Sequence, residues 1–228
     1  YPTDFYKTAM EMWEAGVTFD YASDDMLKRA TVREGRIILG DNAFKALVVP
    51  GVKRMPVSTM EVLAKLSQQG GKVVFYGKDA SKEVDAPGFF EHEKRKAALD
   101  KLFMRHFGKT TGNVLAALQG DCGVTPEPMR AQGLRFVRRA HAGGFNYFIV
   151  NRSTQEFNGV ITLAKPFKSA AVLDPWQPEM AGVVPSGTIP LRLAPLQSMI
   201  IRTFTDRTIE GKAWKTIVDE TPLAIDRP

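Results

Sequence analysis

Three carboxylates lie within six residues near the start of the chain, at Asp20, Asp24 and Asp25. They follow a short β-prone segment, and the ends of strands are where α/β sheets present ligand-binding residues. Carboxylates at such a place could bind a cation or the hydroxyl groups of a sugar. Ser23, however, precedes Asp24 and Asp25 as a helix N-cap would, and the helix dipole favours acids there. The sequence favours this capping role over ligand binding.

A second candidate ligand site is the turn Asp174-Pro175-Trp176, which puts a carboxylate beside an indole. The indole of Trp176 could stack on a sugar ring, with Asp174 beside it as a second ligand-binding residue. A tryptophan in such a turn more often covers the core of a β-sandwich, and the sequence is compatible with both roles. No catalytic residue is assigned in this turn or elsewhere in the chain.

The single cysteine, Cys122, stands in a Gly-Asp-Cys-Gly turn that faintly resembles the setting of a nucleophile. An activated cysteine needs a nearby histidine or a helix N-terminus, and a nucleophile elbow opens a helix. Pro126 disfavours that helix, so a structural role for Cys122 is favoured.

The histidines His92, His106 and His141 show no metal-binding spacing, and ordinary surface roles are expected for them.

Cofactor and metal sites have no support in the sequence. No GxGxxG or GxxxxGK(S/T) loop occurs, because Gly70-Gly71 follows a predicted helix instead of preceding one. One cysteine cannot form an internal disulfide, and the chain has no Cys/His spacing of a zinc site. We therefore expect no cofactor and no bound metal.

The composition is that of a globular protein, with 228 residues of which 44% are hydrophobic and 25% charged. The longest apolar runs are broken by Pro50 and Gly77, and none approaches the roughly 18 residues of a membrane-spanning helix. The net charge is +6, but the basic residues are scattered and interleaved with acids. A nucleic-acid-binding protein instead carries a basic stripe. The sequence therefore predicts neither a membrane nor a nucleic acid as partner.

The first half, residues 1–125, has the pattern of an α/β domain. An amphipathic helix is predicted from Asp4 to Ala15, and Ser58-Thr59-Met60-Glu61 has the form of a capping box for a later helix. Strand-like segments alternate with the predicted helices, at residues 17–21, 36–39, 44–49 and 72–76. This alternation is typical of a doubly wound, flavodoxin-like sheet, so we expect three or more parallel strands.

The second half, from residue 133 to residue 205, consists of short β-prone runs separated by Gly, Pro, Asn or Ser. This spacing predicts an antiparallel β-sandwich, with Ala142-Gly143-Gly144 as a hairpin turn. The Gly- and Pro-containing stretch from 120 to 133 is the best candidate for the boundary. Residues 206–228 have too few apolar side chains for their own core. They are either a docked tail or the start of a further truncated domain.

Six segments carry short motifs that are found together in one group of enzymes. In the first half these segments are 16–27, 44–50 and 60–71. In the second half they are 145–153, 172–179 and 193–201, the first two of which look like "YFxxN" and "DPWTGE" signatures. The chain departs from the second signature at Gln177-Pro178, where the pattern has Thr-Gly, a change in a turn that says nothing about catalysis. Together the motifs resemble glycoside hydrolase family 106, the bacterial α-L-rhamnosidase type.

The resemblance implies an α/β domain similar to a class I glutamine amidotransferase, followed by a β-sandwich, both placed after a catalytic barrel. Since that family's acid and base carboxylates lie on the barrel, no catalytic position is carried over to this chain. The chain would then be a non-catalytic accessory fragment, cut at both ends, of an enzyme acting on plant or microbial polysaccharide. Its implied partners are the upstream barrel of the same polypeptide and possibly carbohydrate. Its implied location is the bacterial periplasm or the outside of the cell.

Two other functions stay open. A free-standing carbohydrate-binding module is supported by Trp176 and by the predicted sandwich. An amidotransferase-like or peptidase-like enzyme would use Cys122, because the predicted fold of the first half hosts such chemistry and a fold does not settle function.

The first helix offers a structural test of the fragment hypothesis. Its apolar side chains occupy two faces, Tyr6, Met10 and Trp13 on one and Phe5, Ala9 and Met12 on the other. A single sheet buries one stripe of a helix, so a missing barrel predicts that one of these faces is exposed.

Overall fold

Buried apolar side chains form separate clusters in the two halves of the chain. The structure is a computed structural model and describes residues 3–77, 84–108, 110–177 and 181–216. The first unit spans residues 1–125 and the second spans residues 126–228.

The helices of the first unit begin at local signals in the sequence. They are α1 (Asp4–Glu14), α2 (Asp24–Leu27), α3 (Val57–Gln68), α4 (His92–His106) and α5 (Val114–Gln119). The side chains of Thr3, Ser23 and Asn113 cap α1, α2 and α5 by accepting hydrogen bonds from backbone N–H groups. The helix predicted from residue 4 is therefore confirmed.

The capping box predicted at Ser58 does not form. Helix α3 begins two residues earlier, with Pro56 at the N-cap position, and has no side-chain cap. The hydroxyl of Thr59 instead donates to Asp24 Oδ2 at 3.0 Å, which ties α3 to the start of α2. The buried face of α3 follows the predicted spacing, with Met60, Leu63 and Leu66 almost completely buried.

The strands of the first unit form two small sheets. Strands β1 (Thr31–Arg33), β2 (Arg36–Leu39) and β3 (Asn42–Phe44) make an antiparallel meander. Strands β4 (Leu47–Val49) and β5 (Val73–Phe75) pair in parallel, with α3 in the connection between them. This unit is one β-α-β crossover with an antiparallel meander before it.

The expectation of three or more parallel strands is therefore wrong for the described residues, and a doubly wound, flavodoxin-like sheet is not shown. The parallel sheet has two strands, and the only further parallel pairings in this described part are single bridges at Arg54–Asp85 and Tyr76–Thr111. Residues 17–21 form no strand. The segment 36–39 pairs antiparallel because Glu34 and Gly35 both adopt positive φ, as a two-residue hairpin turn requires.

The second unit consists of antiparallel strands. These are β6 (Leu134–His141), β7 (Gly144–Asn151), β8 (Phe157–Ile161), β9 (Ser169–Leu173), β10 (Gly182–Pro185), β11 (Ile189–Leu193) and β12 (Ser198–Phe204). One sheet has the order β10-β9-β12-β7-β6, and the other pairs β11 with β8. The predictions of antiparallel strands here and of a hairpin turn at Ala142-Gly143 are confirmed, the turn by the pairing of His141 with Gly144.

The two sheets share one hydrophobic core. Tyr147, Ile149 and Ile201 of the larger sheet are fully buried in the same cluster as Ile161 and Leu191 of the smaller sheet. Side chains at alternate positions of β7 and β11 point into this cluster, as the period of a strand requires. The second unit is therefore a sandwich of two unequal antiparallel sheets.

The segment after β12 docks on the sandwich. Trp214 N–H donates to Val183 O at 2.9 Å, and the indole N–H of Trp214 donates to Pro190 O at 2.8 Å. A Cβ on Gly182 would lie 2.5 Å from Trp214 Cα, so only glycine allows this close approach. Residues 206–216 thus dock on the sandwich, while residues 217–228 lie outside the described residues. No helix of the described ranges is both long and apolar enough to cross a membrane.

Candidate functional site

A cleft of about 240 Å³ lies at one end of the sandwich. It forms near the places where β9 and β11 end and β12 begins. Its lining includes Glu156, Asp174, Gln177, Arg192, Gln197 and Trp214. The lining of the cleft combines one aromatic ring with carboxylate, amide and guanidinium groups.

Asp174 is fixed by the turn that it starts. Only 7% of this residue is exposed, and its Oδ1 accepts hydrogen bonds from the backbone N–H groups of Trp176 at 2.8 Å and Gln177 at 3.2 Å. Its Oδ2 accepts from Gln197 Nε2 at 3.4 Å. Asp174 is therefore a turn-forming residue whose carboxylate also orients an amide of the cleft.

The polar groups of the cleft hold one another in place. Gln197 Oε1 accepts from Ala194 N–H at 2.9 Å, so the amide of Gln197 is oriented at both ends. On the neighbouring strands, Arg192 Nε donates to Glu156 Oε1 at 3.1 Å. Both members of this ion pair remain accessible to solvent, so they can also contact a ligand.

The two tryptophans of the second unit lie in different environments. Trp176, the predicted stacking residue, is 82% exposed and does not line the cleft. Trp214 lines the cleft, and its ring packs against the sandwich core. The sequence alone leaves open whether residues 206–228 dock on the sandwich or start a further domain, because no local pattern shows that a residue after the last strand folds back.

The predicted ligand carboxylates of the first unit are engaged in helix contacts or exposed. Asp24 accepts from Thr59, and Asp25 Oδ1 lies 2.8 Å from Lys28 Nζ. This hydrogen bond lowers the pKa of Asp25. Asp20 is exposed and follows no strand, so the sheet end that the sequence placed before it is absent.

Cys122 lies half-buried in an apolar cluster with Val114 and Leu118. Burial, and then the nearby charge of Asp121, raises the pKa of the thiol, which disfavours the thiolate that a nucleophile needs. The three histidines have other partners. These are Asp85 and Glu93 for His92, Gln68 for His106, and the carbonyls of Ala142 and Thr203 for His141.

A buried charge network in the second unit gave no signal in the sequence. The carboxylate of Glu127 is completely buried and pairs with Arg138. It also accepts from the hydroxyl of Tyr147 at 3.2 Å and from Ala164 N–H at 2.8 Å. Burial raises the pKa of Tyr147, so this hydroxyl stays protonated and acts as a donor. Glu127 stands in the stretch that the sequence indicated as a linker, yet it fastens the start of the sandwich.

A metal centre is not found in the ranges 3–77, 84–108, 110–177 and 181–216. No three side chains of His, Cys, Asp or Glu meet there in a group that could hold an ion.

The fold is similar to a segment of a rhamnosidase from Novosphingobium sp. PP1Y, with a TM-score of 0.63 and 15% sequence identity. The similarity covers 85% of this chain and 21% of that chain, so this chain spans about a fifth of the rhamnosidase. A second similar structure is an apo exo-carrageenase, GH42, from Bacteroides ovatus. The match has 14% sequence identity and covers 86% of this chain and 26% of the carrageenase chain. Its TM-score is 0.39, which is too low to establish a shared fold.

No family model and no curated protein matches. The fold of this chain is therefore similar to that of a segment of the rhamnosidase.

Proposed function

We propose that this chain is an accessory part of a glycoside hydrolase of the family 106 α-L-rhamnosidase type and does not itself hydrolyse substrate. The observation that carries the proposal is the similarity of 85% of the chain to about a fifth of a rhamnosidase, at a TM-score of 0.63. The motifs of the second half support the same group of enzymes. On this proposal the protein works in the periplasm or outside the cell.

The carboxylates of the cleft support a non-catalytic role. Glycosidases use two carboxyl groups that flank the scissile bond, one of them free to donate a proton. In the cleft, Asp174 is bound by two backbone N–H groups and Glu156 is paired with Arg192. Both carboxylates are therefore occupied by contacts within the protein.

The first unit presents an aromatic surface that a catalytic part of the same polypeptide would cover. We call Phe5, Tyr6, Phe19 and Tyr21 the aromatic patch. Phe5, Tyr6 and Tyr21 are 52%, 53% and 61% exposed, and the rings of Phe5 and Tyr21 lie 5.2 Å apart. Exposed apolar patches on soluble proteins commonly mark interaction surfaces.

The aromatic patch takes one residue from each predicted face of α1. On one face Tyr6 is exposed and Met10 and Trp13 are half-buried, and on the other Phe5 is exposed while Ala9 and Met12 are buried. Neither predicted face is therefore exposed as a whole. The first 25 residues also carry six carboxylates and one lysine, although the whole chain has a net charge of +6. The expected partner surface is therefore apolar with a basic rim.

Hydrolysis of aryl α-L-rhamnosides tests the proposal. The 228-residue chain should release no more aryl alcohol than a buffer blank, whereas a longer natural polypeptide containing it should be active. In that longer protein, the double substitution Phe5→Ser and Tyr21→Ser should weaken the contact between this chain and the catalytic part. The melting temperature of the longer protein should therefore fall. Robust turnover by the 228-residue chain that is lost in Asp20→Asn or Asp24→Asn would overturn the accessory role.

A further inference from the structure

We propose that the cleft at the end of the sandwich binds one ring of a neutral saccharide, with Trp214 as the stacking surface. Arg192, Glu156 and Gln177 would hydrogen-bond the hydroxyl groups. This inference goes beyond the accessory role because it assigns a ligand site to the second unit. It stands on the cleft alone and holds whether or not the chain belongs to a rhamnosidase.

The size of the cleft limits the ligand to about one ring. Pockets for drug-sized ligands measure about 300 to 1,000 Å³, and this cleft has about 240 Å³. It opens to solvent, so further units of an oligosaccharide can extend away from the protein. Binding of a single ring to such a site is weak, with a Kd expected in the millimolar range.

Trp214 is held in position before any ligand binds. Its indole N–H donates to Pro190 O at 2.8 Å, and its backbone N–H donates to Val183 O at 2.9 Å. Trp214 is half-buried, packs against the core and is among the residues that line the cleft. A fixed indole offers apolar area for the C–H face of a sugar and loses little entropy on binding.

The polar groups beside Trp214 match the hydroxyls of a sugar. A hydroxyl donates one hydrogen bond and accepts others. The Glu156–Arg192 pair places a carboxylate beside a guanidinium, and both side chains are accessible to solvent. The buried Asp174 holds the backbone of Gln177 and the side-chain amide of Gln197, so the Gln197 amide is in position before a ligand binds.

The charge of the cleft favours a neutral ligand. Two carboxylates, Glu156 and Asp174, face two cations, Arg192 and Lys215, among the lining residues. A uronate or sulfated sugar would meet as many negative charges as positive ones and would lose hydration on entry. The proposal therefore selects neutral sugars over anionic ones of the same size.

Calorimetric titration of the full chain with L-rhamnose, D-galactose and D-glucose, and with D-galacturonate as the anionic probe, tests the inference. At least one neutral sugar should bind, and more tightly than galacturonate. Arg192→Gln should weaken that binding by about tenfold. The matched control Arg139→Gln changes an exposed arginine on β6 and should leave Kd unchanged.

The tryptophans provide a second comparison. Trp214→Phe, used only if its melting temperature shows that it is folded, should weaken binding, whereas Trp176→Ala should not. If Trp214→Phe does not fold, Arg192→Gln decides alone. The inference is overturned if no neutral sugar binds, if galacturonate binds best, or if Trp176→Ala and not Arg192→Gln abolishes binding. Sugar binding without hydrolysis by the longer polypeptide would overturn the proposed function and leave the cleft assignment standing.

Discussion

The hydroxyl of Tyr76 donates a 2.7 Å hydrogen bond to Glu11 Oε2, which joins the end of the parallel sheet to α1. Burial, and then this hydrogen bond, raises the pKa of Tyr76 to about 12. The protonated hydroxyl is thus part of what holds α1, the helix nearest the aromatic patch, on the first unit.

Tyr76→Phe should lower the free energy of unfolding by about 1 to 2 kcal/mol near neutral pH, because the bond to a charged acceptor is lost. The raised pKa means that the wild type keeps this contribution below pH 10 and loses it as the pH rises through about 12. The variant should lack that part of the pH dependence. Urea unfolding across this range checks both expectations. Tyr6→Phe, which changes an exposed hydroxyl, should match the wild type.

Glu127→Gln should destabilise the second unit by about 3 kcal/mol, because the guanidinium of Arg138 would stay buried without its counter-charge. The matched control is Glu156→Gln, which breaks an ion pair that is partly exposed and should cost about 1 kcal/mol or less. Chemical denaturation of both variants gives the comparison. Equal losses for the two would show that burial of the Glu127 pair has no energetic consequence. Adding Arg138→Met to Glu127→Gln should restore part of the stability.

Gly144→Ala should disrupt the pairing of β7 with β12. A Cβ at this position would lie 1.9 Å from Thr203 O, a backbone atom that cannot move without breaking the sheet. We expect a loss of about 3 kcal/mol or failure to fold. Gly112→Ala is the control, since a Cβ there meets nothing within 4 Å, and it should change stability by about 0.5 kcal/mol or less. Melting temperatures of the two variants would separate these outcomes.

Cys122 should react slowly with iodoacetamide near pH 8, because burial raises the pKa of its thiol and limits access to it. The same chain unfolded in urea should react faster. Alkylation of the folded protein that outpaces the unfolded chain would instead reveal an activated thiol and return the cysteine-dependent enzyme to consideration. His106→Ala should leave the rate unchanged, since His106 contacts Gln68.

The parts of the fold that the sequence predicted correctly depend on local signals. The helix from Asp4 follows the spacing of its apolar residues, and the hairpin at Ala142-Gly143 follows its turn residues. The meander was not predicted, because its local signal is weak. Glu34-Gly35 forms the two-residue turn between β1 and β2, but this dipeptide is not a typical hairpin signal, and the sequence therefore favoured placing β2 in the parallel sheet.

The parts of the candidate site that were missed depend on contacts between distant residues. Trp214 reaches the cleft only because it bonds to Val183 and Pro190, about 24 to 31 positions earlier. Glu127 becomes buried only when Arg138 and Tyr147 fold over it. The spacing of residues along the chain does not predict these contacts between distant residues. The sequence therefore located Asp174 within the site but not the tryptophan that lines it.

The segment from residue 206 to residue 216 also covers one edge of the larger sheet. β10 is an edge strand of this sheet, and at Val183 its N–H and C=O bond to Lys212 O and Trp214 N–H. The opposite edge, β6, carries Arg135 and Arg139, and charged side chains discourage strand addition. Both edges of the larger sheet thus carry a feature that hinders pairing with a strand from another chain. The residues that complete the cleft thereby also help to keep this sandwich from polymerising through its β10 edge.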